Sequence, residues 1–317
     1  MNLINDTRSG CILGTLIVPN VAENVSYKLA FSLLVTACAL SIPLFLYGTP
    51  EYVVVPPSVA SAGFFSYFSS SSHEWSILRS ILQLLLPLPI YFAFFYCIPI
   101  MWGVTAAGMD HQVGVLDLRV TVEQIMLLHP LLILALIPFF QVVVYPLLRR
   151  CGYLPPVTRA ILGMNLVIFS LILGGFLQQK IETRGHDLTL KGHAAISFWW
   201  LLPQYLLMCS GEVMTIITCL ELAYLKAPSR LKSFVMALFF LCMAVGNELV
   251  AVIRMIKISP VSTENFVVAG LMFLFMIFFT SLNRSQDPVD PNISDEAVES
   301  FDPNTDDIIF TDDADNL

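Results

Sequence analysis

The sequence predicts an all-α integral membrane protein with seven transmembrane helices. Three observations carry that prediction. Apolar residues make up 56% of the 317, where ordinary globular chains hold about 45–50%. Charged residues are only 13%, against a usual share of about 25%, and mean hydropathy is +0.76. A water-facing surface of normal area cannot be built from so few charges. Seven apolar stretches also approach or exceed the roughly 20 residues that cross a bilayer core. They fall at residues 27–47, 81–102, 125–148, 160–177, 197–224, 233–256 and 266–282.

The chain divides into a lead (1–26), a helix bundle (27–283) and a tail (284–317). The lead lacks a secretory layout, because no basic segment precedes its short apolar run at 11–19. Asn5 and Asn24 each open an N-glycosylation acceptor, usable only if this end faces a lumen or the outside. Residues 48–80 form a Pro- and Ser-rich link ending in Trp75 to Arg79. The second span carries Pro87, Pro89 and Pro99, whose missing N–H donors predict breaks or kinks. In the fourth, Gly163, Gly174 and Gly175 suit close helix packing. Residues 178–196 read as an outer loop. The tail holds eleven of the 24 acids and is punctuated by Pro288, Pro291 and Pro303, so it reads as disordered and solvated.

That tail accounts for the net charge of −8; without it 16 basic residues face 13 acidic ones. No basic stripe interleaves with aromatics, which argues against a nucleic-acid partner. Orientation follows the density of Lys and Arg beside the spans. Arg149, Arg150 and Arg159 lie within eleven residues, and Lys226, Arg230 and Lys232 within seven. Those loops, and with them the tail, are expected on the cytoplasmic side, and the N-terminus outside.

The fifth span holds Glu212 near its middle. A carboxylate at that depth costs roughly 2.5–3.5 kcal/mol unless compensated, so it marks a site facing a cavity or a partner. Helical spacing places Thr215, Ile216 and Cys219 on its face, with Met208 and Cys209 one turn earlier. The bland alternative is a paired packing residue. Glu221, nine positions on, should point the opposite way, near the helix end, as an interhelical carboxylate. Glu248 in the sixth span has Arg254 six residues later, which is not a facing spacing, and Arg254 is expected to snorkel. His129, beside Pro130 at the start of the third span, reads first as a hydrogen-bonded structural residue and second as a proton relay. Gln141 and Tyr145, one turn apart, either line a polar cavity or join helices.

Nothing in the pattern is enzymatic: there is no GxSxG, HExxH, paired intramembrane Asp or phosphate loop. The seven cysteines show no metal spacing and mostly sit in apolar spans as small hydrophobes. Isolated acids in spans fit movement of protons or polar solutes. A seven-span receptor is disfavoured, since the third span lacks an acidic-Arg-Tyr end and the seventh lacks Asn-Pro-x-x-Tyr.

Pro203-Gln204-Tyr205, Gly211-Glu212-Val213, Leu220-Glu221, Tyr224, Ala227-Pro228, Lys232-Ser233 and Gly246-Asn247 follow one another in a pattern that resembles proton-coupled oligopeptide transporters (the POT, or solute carrier 15, family). They correspond to that family's tenth and eleventh helices. Pro87-Leu88-Pro89, Trp102, Gly114 to Asp117, Pro138, Tyr145-Pro146, Cys151-Gly152-Tyr153 and Gly163-Met164 resemble its seventh to ninth, in order. The resemblance covers about residues 10–283. It implies the C-terminal half of a major-facilitator transporter, from the sixth to the twelfth helix, in the plasma membrane.

It further implies di- and tripeptide cargo, the proton as coupling ion, and no cofactor. Glu212 would hold the peptide's amino terminus. Glu221, His129, Gln141 and Tyr145 complete the candidate substrate and proton site. The chain departs from the pattern at Tyr96-Cys97-Ile98 and Met101, where the family is polar and carries an Arg. His129 stands for an Asn and Gln141 for an Asp. A bundle lacking the first five helices is expected to need a missing N-terminal half or a full-length transporter as partner. The alternative is a non-transporting half that associates with such a transporter.

Overall fold

The computed structural model describes residues 14, 17–18, 21–22, 25–51, 72–110, 112–113, 118–119, 122–151, 155–191, 196–227, 231–256 and 258–283. The acidic tail, Asn5 and Asn24, and most of the lead and link lie outside them. Seven helices are long and apolar enough to cross a membrane: Tyr27–Tyr47, Ile77–Ala107, Leu128–Leu148, Pro156–Arg184, Phe198–Lys226, Lys232–Met255 and Val261–Asn283.

Helix α1, Tyr27–Tyr47, starts where the Ser26 hydroxyl accepts from the Leu29 N–H at 3.2 Å and stops at Gly48. It is apolar on all sides, and of its residues only Ala30 is buried. The second span is two helices, α2 (Ser72–Leu85) and α3 (Leu88–Ala107). The expected break therefore occurs at Leu86-Pro87, and the link turns helical from Ser72. Pro89 sits in the first turn of α3, where a missing N–H removes no helical bond, and only Pro99 lies in the interior.

A two-stranded antiparallel ribbon that the sequence did not announce follows, β1 (Gln112–Val113) pairing with β2 (Leu118–Arg119). After the short α4 (Val122–Ile125), the third span runs as α5 (Leu128–Phe139), a π-helical turn at Phe140–Val144, and α6 (Tyr145–Cys151). Helix α7, Pro156–Lys191, is the longest at 36 residues. It runs through most of the predicted outer loop, because 178–191 continues the helix without a Pro and with a single Gly. The fifth span opens with a 3-10 turn at Phe198–Leu201 and continues as α8 (Leu202–Glu212), a π-helical turn (Val213–Ile217) and α9 (Thr218–Lys226). Helices α10 (Lys232–Met255) and α11 (Val261–Asn283) close the bundle.

Helix α7 is the axis, lying along α11 on one side and α8 on the other, while α3 lies along α10 and α5 against α8. Glycines allow the approaches. A Cβ on Gly246 of α10 would come 2.8 Å from the Pro89 carbonyl oxygen of α3, and one on Gly175 of α7 would meet the Phe266 ring of α11 at 2.8 Å. Packing this close gains dispersion contacts where no hydrophobic drive separates protein from lipid tails. Aromatic pairs fill the α3 side, with Tyr91 stacked on Phe95 and Phe92 edge-on to Phe239, both at 5.8 Å.

Polar groups near the ends are paired across helices. The Trp102 indole N–H donates to Asn265 Oδ1 at 3.3 Å. The Glu182 carboxylate of α7 accepts from the Ser262 N–H at 3.0 Å and from its hydroxyl, capping the start of α11. Arg254 corrects its sequence reading: it does not simply snorkel but donates to Glu264 across the α10–α11 hairpin. Glu248 is exposed on α10, and nothing in the structure explains an acid there.

Candidate functional site

The position of Glu212 follows from its neighbours in sequence. Gly211, the residue before it, has no side chain, so α8 presses directly onto α7. A Cβ on Gly211 would stand 2.6 Å from the Gly163 carbonyl oxygen, and one on Gly163 would stand 2.8 Å from the Gly211 carbonyl oxygen. Thr215, one turn on, donates its hydroxyl to the Ala160 carbonyl at 3.1 Å, which satisfies a buried polar group within the crossing. One turn earlier, the Cys209 thiol donates to the His129 carbonyl at 3.8 Å and ties α8 to α5. Glu212 is thus fixed on three sides.

Its carboxylate then meets a partner 83 positions away in sequence. His129 Nε2 lies 2.6 Å from Glu212 Oε2, with side-chain exposures of 22% and 9%. That separation is at the short end of charge-assisted hydrogen bonds. Against an ionised carboxylate, which only accepts, Nε2 must carry a hydrogen. The imidazole is therefore either the Nε2–H tautomer or the imidazolium. Tyr91 of α3, fully buried, has Thr215, Glu212 and Cys219 as its polar neighbours.

A second polar group lies along the same span. Tyr145 is half-buried, with the Arg159 guanidinium 5.2 Å above its ring and Glu221 and Thr218 as further neighbours. This departs from the expectation that Glu221 points away from Glu212. The π-helical turn takes one extra residue, so the register beyond it lags by about 100°, leaving the two carboxylates roughly 80° apart instead of opposed. The second π-helical turn, Phe140–Val144, includes Gln141 and leaves it exposed.

The structure thus joins His129 to Glu212 and Tyr145 to Glu221. Sequence reasoning missed Tyr91 and Arg159 as members of these groups. Arg159 carried only a loop-charge signal, and Tyr91 carried none apart from its place in an apolar span. An acid held by an imidazole inside a membrane bundle can exchange protons and can bind a cation.

Comparison with known proteins assigns the architecture. Residues 58–266 match the PTR2 profile of the POT family. The chain belongs to the POT family. Among its curated relatives, Solute carrier family 15 member 3 of Mus musculus is 24% identical over 300 residues, which is 76% of this chain and 52% of that protein. Peptide transporter PTR2 of Saccharomyces cerevisiae is 28% identical over 224 residues, 65% of this chain and 36% of that one. The chain spans about half the length, or less, of these relatives. The crystal structure of an auto-inhibited POT family peptide transporter superposes with a TM-score of 0.69 at 20% identity, covering 92% of this chain and 71% of that one. A POT transporter solved in complex with 5-aminolevulinic acid superposes at 0.53 and 15% identity, covering 88% and 53%. The POT chain described here is accordingly a multi-pass membrane protein with the transporter fold that its sequence resembled.

Proposed function

We propose that this POT-family chain forms the C-terminal wall of a proton-coupled oligopeptide transporter in the plasma membrane. In this reading Glu212 takes the amino terminus of a di- or tripeptide. The single observation that carries it is a buried carboxylate, paired with a titratable imidazole, at the crossing of α7 and α8. A carboxylate there stays ionised only with a cation beside it, and a peptide ammonium is such a cation. His129 supplies the titratable partner, while Tyr145 and Glu221 form a second polar station toward the end of α9 rich in basic residues, which we place on the cytoplasmic side.

Major-facilitator carriers bind cargo between two halves that rock about a midplane site. The opposing wall would come from helices such as those that make the relatives about twice as long. The test is titration of the purified chain in nanodiscs with Ala-Ala and with N-acetyl-Ala-Ala. We expect saturable binding of the free-amine dipeptide only. Equal binding of both, or of neither, would refute the assignment of Glu212 as an amine site.

A further inference from the structure

We infer that His129 is the resident counter-ion of Glu212, and that a cargo ammonium replaces it, so that binding an amine releases a proton at the same place. This rests on the reading of Glu212 as an amine site and adds what fills that site when no cargo is present.

The argument starts from charge. Glu212 lies inside a membrane bundle, where an uncompensated carboxylate is costly whether or not cargo is bound. The groups around it are few. Helix α3 offers Tyr91, α8 offers Cys209, α9 offers Cys219, and α5 offers His129. At the crossing α7 presents Gly163 and Val167 to Gly211, and neither titrates. Arg159, Glu221 and Tyr145 are grouped further along the span. Tyrosine and cysteine are either neutral or anionic, so of the groups touching the pair only the imidazole can be positive.

Geometry sets the order of events. His129 is the more exposed partner, so a cation approaching Glu212 from the open side meets the imidazole first. Both cannot hold the one accepting oxygen. The balanced step is the imidazolium–carboxylate pair plus an ammonium giving a neutral imidazole, a free proton and an ammonium–carboxylate pair. No bond other than N–H changes. The site carries the same net charge empty and loaded, which removes the electrostatic difference between the two states.

Linkage then fixes the pH dependence. Where the pair is closed by a proton, each ammonium bound expels one, and affinity rises about tenfold per pH unit. Above the imidazolium's titration it becomes flat. Asparagine at 129 retains a donor for the carboxylate but cannot titrate.

The experiment is calorimetry of the full chain in nanodiscs with Ala-Ala, repeated in buffers of different ionisation enthalpy and across pH. Wild type should release close to one proton per dipeptide at the acid end. His129→Asn, or His129→Gln if the first folds poorly, should bind without release and with affinity independent of pH. Binding by wild type without proton release overturns the inference and leaves the amine site standing. Release persisting unchanged in both variants does the same. Absence of dipeptide binding to wild type refutes the amine site itself, and the exchange with it.

Discussion

Gly163 and Gly211 face each other across the α7–α8 crossing, each so close to the other's carbonyl oxygen that neither position has room for a methyl group. The residue that follows Gly211 is the buried acid. Packing and chemistry are therefore coupled at one point in the bundle.

Replacing either glycine by alanine should push α8 away from α7. We expect a loss of about 1–3 kcal/mol from overpacking, read as a lower midpoint of thermal unfolding in detergent. Gly163→Ala and Gly211→Ala together should cost less than the sum of their separate effects, since the first displacement makes room for the second.

Glu212→Gln preserves shape and removes charge. A hydrogen bond to a charged group is worth about 1.5–3 kcal/mol, so Ala-Ala affinity should fall roughly 10- to 100-fold with little change in thermal midpoint. Calorimetry beside a melting curve separates the two. An unchanged affinity would remove Glu212 from the site.

Arg254 and Glu264 hold the α10–α11 hairpin, with the arginine side chain 32% exposed and the glutamate 9%. Arg254→Met strands a mostly buried carboxylate. Breaking a buried pair costs about 3–5 kcal/mol; partial solvation of this one lowers the expectation to roughly 2. The double variant Arg254→Met with Glu264→Leu should recover most of that, as a double-mutant cycle on thermal midpoints will read.

Glu182 caps the first turn of α11 through Ser262. Glu182→Ala should cost about 1 kcal/mol, and Ser262→Ala less, because the backbone N–H bond to the carboxylate survives. Amide hydrogen exchange should quicken at 261–265 in the first variant before it changes elsewhere.

The spans were legible in the sequence because a bilayer imposes a length and an apolarity that no other environment demands together. All seven fall where the apolar runs do. What was not legible depends on contacts between helices. Helical spacing correctly grouped Cys209 and Thr215 around Glu212, but no periodicity within one helix could find His129 on another. The π-helical turn at Val213–Ile217 has no residue signature; Val, Met, Thr and Ile fit an α-helix equally well, so the direction of Glu221 was misread. Arg254 was read as reaching toward water because its acid lies beyond a turn, ten positions on. Family resemblance supplied the order of helices and the importance of Glu212, which composition alone left as an unexplained acid.

Helix α1 buries a single residue, Ala30, against everything else. Almost none of its apolar surface is shielded by the remaining spans, so lipid has to wet it all round. Such a segment is a tethered passenger: clipped from its neighbours, it could diffuse sideways through the bilayer while the other six stayed assembled and kept their melting behaviour.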